Sequence, residues 1–175
     1  VLPESKPDSV FVPLDARQEA KYEHYSTEYR NALKSMGAGD KQAQKSRMAA
    51  LGYLQKMALV SIHPELDSGP NAAGSDGDGT GWTWKNATKV SDPHCPKLDY
   101  VVDRVSKEQE CGSIIFCDVI AVHRWLLMLL VEAGVPESRI AILNGDRAKD
   151  PAMRQQIADR FNGVPAVVGT DGTIE

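Results

Sequence analysis

Apolar positions in the first third of the chain recur at helical spacing. Tyr22, Tyr25, Tyr29, Leu33 and Met36 fall three or four residues apart and share one face. Asp15 precedes them with Gln18 three residues on, the pairing of a capping box, and Gly37-Ala38-Gly39 stops the pattern. Asp40 can start a second helix, in which Met48, Leu51, Leu54 and Ala58 share a face. His63-Pro64 ends it, because the residue before a proline is pushed out of the helical region. Residues 15–62 therefore read as a helical pair.

The pattern then breaks. Asp67-Ser68-Gly69-Pro70 through Gly81-Trp82 is rich in Gly, Asp and Ser, has no periodicity and reads as a loop. Trp82 and Trp84 alternate across Thr83, as on a short strand or a loop docked on the core. From Pro96 the spacing of Leu98, Val101, Val102 and Val105 predicts a short helix. Ile114-Ile115-Phe116-Cys117 is a continuous apolar run, the signature of a strand buried on both faces. Residues 120–133 read as a helix with Gly134 just past its end. Ile140-Ala141-Ile142-Leu143 reads as a second strand. Asp150-Pro151 opens a further helix, with Ile157 and Phe161 facing inward and Asn162-Gly163 stopping it; Ala166-Val167-Val168 reads as a third strand. Strands alternating with helices predict βαβ units and a parallel sheet. The expected division is a helical extension over 1–66, a Gly/Asp-rich loop over 67–95 and an α/β lobe over 96–175.

Composition changes this picture little. With 175 residues, 42% hydrophobic and 25% charged, the chain has enough apolar surface for one sizeable core and is not a disordered sequence. The longest apolar run, Trp125 to Val131, is too short to span a bilayer. No basic region followed by an apolar run opens the chain, so the expected compartment is intracellular, cytoplasmic or nuclear. The net charge is −4, and no third of the chain is strongly basic, which gives no support to whole-molecule attraction to nucleic acid but leaves room for a local basic patch. Cys95, Cys111 and Cys117 make an odd count without C-x-x-C spacing, so neither a disulfide framework nor a zinc site is expected.

Three stretches sit at the carboxyl ends of the expected strands, the edge where open α/β sheets bind ligands. They are Ile114-Ile115-Phe116-Cys117-Asp118, Leu143-Asn144-Gly145-Asp146 and Val167-Val168-Gly169-Thr170-Asp171. Each alone is an ordinary strand-to-helix turn. Their order resembles the second RecA-like lobe of superfamily-two helicases and Swi/Snf-type ATPases. Phe116-Cys117 resembles the end of the motif IV strand, and Leu143-Asn144-Gly145-Asp146 is similar to the Leu-His-Gly-Asp turn of DEAD-box proteins. Arg154 and the helix ending in Phe161-Asn162 resemble the element that follows that turn. Val168-Gly169-Thr170-Asp171 resembles the start of motif V. Val12-Pro13-Leu14, the stretch Ala58 to Pro64 and Lys97-Leu98 resemble the segment leading into the lobe in Swi/Snf-type proteins.

The resemblance implies an α/β fold, a three-layer RecA-like parallel sheet with an N-terminal helical extension. It implies a motor lobe of an ATP-dependent translocase or helicase whose partners are nucleic acid, DNA in particular, and a first RecA-like lobe. Phe116, Cys117, Asn144, Gly145, Asp146, Gly169, Thr170 and Asp171 would then contact the nucleic-acid backbone. Gly145 and Gly169 allow close backbone approach, and Thr170 can donate its hydroxyl to a phosphate oxygen. ATP and Mg2+ would be held mainly by the first lobe. The chain has no G-x-x-x-x-G-K-S/T phosphate loop and no Asp-Glu box, and it reaches Glu175 inside motif V before an arginine-bearing motif VI, so a fragment inactive in ATP hydrolysis is expected. Two other readings compete: a non-catalytic interaction domain on a RecA-like scaffold, and a different small-ligand-binding α/β domain.

Weaker signals add little. Asp76-Gly77-Asp78-Gly79 has the look of a calcium loop but no closing Glu. Asn86-Ala87-Thr88 matches a glycosylation acceptor without a secretory signal to support its use. His94-Cys95 lacks a second ligand pair for a metal. His123, inside an apolar helix, reads as a packed histidine rather than a base.

Overall fold

The computed structural model describes residues 9–35, 40–69, 80–107, 112–144 and 150–163, with the side chains of the second helix described from 43 onward. Five α-helices follow in order: α1 Ala16–Lys34, α2 Asp40–Ile62, α3 Pro96–Lys107, α4 Ile120–Glu132 and α5 Pro151–Phe161. Short 3₁₀ turns at Ala87–Lys89 and Glu137–Arg139 lie between them.

α1 begins where its cap dictates. The Asp15 carboxylate accepts from the Gln18 backbone N–H at 2.8 Å, and the Asp15 N–H donates to Gln18 Oε1 at 3.2 Å, the reciprocal pair of a capping box. The same Gln18 is buried, and its Nε2 donates to the Val60 carbonyl at 2.8 Å. One side chain thus closes α1 and fastens it to the end of α2. At the other end Ser35 and Ser46 share a hydroxyl hydrogen bond of 2.9 Å, so the two helices run antiparallel.

The main core forms around α4. This helix is apolar nearly all round and buries Ala121, Val122, Trp125, Leu126, Leu127, Leu129 and Leu130. Leu66, Trp82, Ala87, Cys95, Leu98 and Val119 close around it. Each large apolar side chain taken fully from water contributes about 1.5–3 kcal/mol. The stretch from Thr80 to Cys95, read as part of a loop, therefore feeds the core: Trp82 Nε1 donates to the Glu65 carbonyl at 2.8 Å, and Trp125 Nε1 donates to the Ala87 carbonyl at 2.8 Å. Gly134, at φ +88°, ends α4 in the left-handed region where a Cβ would be strained.

The expected three-layer parallel sheet is not what the chain forms. Among the described residues there is no strand, and every regular element is helical. Ile114–Cys117 and Ile140–Leu143 run outside any helix but enter no ladder. A strand exists only through hydrogen bonds to a neighbour, and a central one is covered on both faces. Ile114 is instead 65% exposed and Phe116 91% exposed. The third expected strand, Ala166-Val167-Val168, lies outside the described residues.

α5 differs from expectation in its packing. Asp150 caps it as the sequence predicts, accepting from the Ala152 N–H at 2.9 Å. However, it buries no residue, and Phe161 is exposed rather than inward-facing. Its ring covers Gly112, where a Cβ would stand 2.8 Å from Phe161 Cε2.

Candidate functional site

The candidate site begins with the non-helical segment between α3 and α4. Ser113–Phe116 and the α3 residues Tyr100, Val101, Arg104 and Val105 line a shallow cleft of about 410 Å3. Phe116 projects into solvent at its end. The next residue is pinned: His123 Nε2 lies 2.7 Å from the Cys117 carbonyl. A carbonyl only accepts, so Nε2 carries the proton and His123 holds the segment to the first turns of α4. The packed role expected of His123 is the one its geometry gives. Burial pushes the Cys117 thiol up, with the Val119 backbone pulling weakly the other way. A thiol so placed is a poor nucleophile.

Asn144 ends the second non-helical segment and is half-buried. Gly145, Asp146, Gly169, Thr170 and Asp171 lie outside the described residues. Of the eight expected backbone contacts, Phe116 and Cys117 therefore stand together at one segment end and Asn144 at another.

Two polar clusters escaped the sequence reading. The first joins α1 to the turn after α2. Asp67, its side chain only 3% exposed, receives Lys21 Nζ at 2.7 Å and the Tyr25 hydroxyl at 2.6 Å, while Lys21 also donates to the Pro64 carbonyl at 2.8 Å. Burial works to raise the Asp67 carboxyl, but Lys21 and Tyr25 together hold it below its ordinary value. The same burial, with the Asp67 charge, pushes the Tyr25 phenol up to about 12. The second cluster is exposed. Arg17 bridges Asp15 at 3.0 Å and Asp92 at 3.1 Å, and His94 pairs with Asp99 at 2.8 Å. Both clusters tie elements together, and none of their residues lines the cleft beside Phe116.

The minor motifs resolve into structure. Asn86 is buried: its Nδ2 donates to the Gly81 carbonyl and its Oδ1 accepts from the Thr83 N–H at 2.6 Å, so the side chain that a glycan would need is spent holding the turn. The Cys95 thiol is buried and donates to the Ile62 carbonyl at 3.0 Å. The Asp76-Gly77-Asp78-Gly79 stretch lies outside the described residues. Among the described residues no group of three or more His, Cys, Asp or Glu side chains could hold a metal ion. No helix among them is long and apolar enough to cross a membrane.

Comparison with family models, with curated proteins and with solved structures finds no match.

Proposed function

We propose that this chain serves an ATP-driven nucleic-acid translocase or helicase, contributing backbone contacts to DNA while a separate lobe of the same protein holds ATP and Mg2+. The observation that carries the reading is the order of three segments, Ile114 to Asp118, Leu143 to Asp146 and Val167 to Asp171. The first two also alternate with helices: Ile114–Cys117 precedes α4 and Ile140–Leu143 precedes α5. Such a protein works in an intracellular compartment, cytoplasmic or nuclear.

The test is fluorescence anisotropy of the full chain with labelled DNA at about 50 and about 200 mM salt, since phosphate contacts release counterions and weaken with salt. Weak binding that falls with salt and falls further in Thr170→Ala and Asn144→Ala supports the reading. Binding unaffected by both substitutions and by salt overturns it. ATP turnover by the pure chain, lost in Thr170→Ala, would overturn the assignment of nucleotide chemistry to another lobe.

A second reading, a non-catalytic interaction module, draws on one observation: Ile114 and Phe116 stand exposed in a segment that enters no ladder with another described segment. Exposed apolar side chains in a row mark a surface that a partner covers. Ile114→Ser separates the two, because Ile114 is exposed but is not among the expected backbone contacts: the change would weaken partner capture in the second reading and leave salt-sensitive DNA binding in place.

A further inference from the structure

We propose that the outer side of the α1–α2 pair is a docking groove for an acidic amphipathic helix of a partner protein. The face shared by Met48, Leu51, Leu54 and Ala58 does not pack inward. Met48 is 67% and Leu51 61% exposed, and Leu54 and Leu33 are open to solvent beside them. Tyr29, Leu33, Arg47, Ala50, Leu51 and Leu54 line a groove of about 290 Å3 between the two helices. A stripe running from 48 to 58 at spacings of three and four is about 15 Å long, the length of a three-turn helix. A third helix laid along it would bury the stripe as the two present helices bury Ala32 and Ala50.

Charge selects the occupant. Along the two stretches beside the stripe, residues 22–35 and 43–58, stand Arg30, Lys34, Lys45, Arg47 and Lys56 against Glu23 and Glu28, a basic excess in a chain whose net charge is −4. The Ser35–Ser46 hydrogen bond sets these two stretches side by side. Lys56, farther along α2, is already placed over the Tyr25 ring at 5.2 Å. A second copy of this chain using the same face would bring Arg47 against like charge. Nucleic-acid phosphates would gain nothing from the Met48, Leu51 and Leu54 stripe. A helix with an apolar stripe flanked by Glu or Asp satisfies both features, and electrostatic complementarity of this kind selects partners and speeds encounter. The groove lies on the helical pair, apart from residues 114–171 on which the motor reading rests, so each proposal can fail alone.

The experiment is anisotropy of the full chain with two labelled helix-forming peptides that share one Leu stripe, one flanked by Glu and the other by Lys. The Glu peptide should bind at least roughly tenfold more tightly, Leu51→Ser should weaken it by roughly tenfold, and Arg47→Glu should reverse the preference. Leu51 is exposed, so an unchanged thermal melt shows that Leu51→Ser still folds. Arg47→Glu, which leaves the Met48, Leu51 and Leu54 stripe in place and reverses one charge beside it, provides an independent reading. Equal binding of both peptides, or no effect of either substitution, overturns the proposal. So does sedimentation showing a dimer that Leu51→Ser dissolves, or Leu51-dependent binding to phosphatidylserine vesicles with no peptide bound.

Discussion

His63 and Trp125 meet ring to ring in the core, centroids 4.4 Å apart, and both are fully buried. The imidazole sits just past the end of α2 and the indole at the centre of α4, so this contact joins the helical pair to the rest of the molecule. Trp82 packs edge-on against the same indole at 5.4 Å. His63 is fixed on both nitrogens: Nε2 lies 3.0 Å from the Asp92 carbonyl, and Nδ1 accepts from the Glu65 N–H at 3.2 Å. That arrangement requires the neutral ring with its proton on Nε2.

Removing the indole should therefore be costly. Trp125→Ala loses its transfer energy and leaves a cavity, for an expected loss of about 3–5 kcal/mol. Trp125→Phe keeps much of the packing and removes one of two donors from the Ala87 carbonyl, which retains the Val90 N–H at 3.3 Å, so it should cost only about 0.5–1.5 kcal/mol. Urea unfolding of both variants checks this, and a loss in Trp125→Ala no larger than in a surface variant would show that the core lies elsewhere.

Two histidines titrate in opposite senses. Burial holds His63 below its ordinary value of 6.5, outweighing the upward pulls of the Asp92 carbonyl and Glu65. Below that pH the unfolded chain takes up a proton that the folded chain resists, so stability falls as the solution becomes acid. His94 is raised above 6.5, first by its hydrogen bond to Asp99 and then by Glu132 and Asp92. Its contribution is complete below 6.5 and is lost as pH rises through its folded value. His94 is half-exposed, so this second effect is the smaller. Urea midpoints measured across the neutral range should peak near 6.5. His94→Asn should remove the decline on the alkaline side and leave the acid fall intact, and a profile flat from pH 5 to 6.5 would contradict the role given to His63.

The Tyr25 phenol reports on Asp67. Because burial and the carboxylate push it up to about 12, phenolate absorbance at pH 11 should show Tyr25 still protonated, taken as the difference from Tyr25→Phe. Asp67→Asn removes the charge and should bring the titration back toward 10. Tyr25→Phe itself should cost only about 0.5–1.5 kcal/mol, since Asp67 keeps its partner Lys21.

Gly69 should accept no side chain. A Cβ there would run into the Thr80 carbonyl oxygen and the Gly81 backbone and would stand 2.7 Å from Trp82 Cδ1. Backbone atoms cannot step aside as a flexible side chain can, so Gly69→Ala should cost about 1–3 kcal/mol. Gly52→Ala, where a Cβ meets nothing within 4 Å, is the control and should be neutral or stabilising. Equal melts for the two would refute the close approach.

The sequence was most legible where a local rule decides the outcome. Asp15 with Gln18, Asp150 with Pro151, and Gly134 each act within one turn of helix, and each element begins or ends at its signal. Ile114–Cys117 shows the opposite case. Its apolar run says that these side chains seek cover, but pairing depends on a neighbour that no local signal names, and the segment stands exposed. Met48, Leu51 and Leu54 teach the same lesson for helices: spacing puts them on one face without saying which way it turns. The core pairing of His63 with Trp125 was hidden because His63-Pro64 reads as a helix stop, and 62 positions separate the partners. Asn86 carried a signal that could have been used, since Thr83 three residues before it and Gly81 before that make a turn a natural reading beside the glycosylation motif. Of the expected site residues, Phe116 and Cys117 were found together only because they are neighbours in the chain.

The closeness of Gly69 to Thr80, Gly81 and Trp82 has a bearing on how this chain tolerates change. The backbone leaves the core at Gly69 and is back within van der Waals contact of that point at Thr80. The Trp82 and Glu65 hydrogen bond locks the returning strand of chain beside the departing one. The junction is thus closed by the core itself, whatever length of polypeptide lies between. Lengthening such a connection costs only about 0.6 kcal/mol per doubling. A tag, a reporter or a whole foreign domain with adjacent ends, spliced in between Gly69 and Thr80, would thus begin and end at two points that the Trp82, His63 and Trp125 core already holds together.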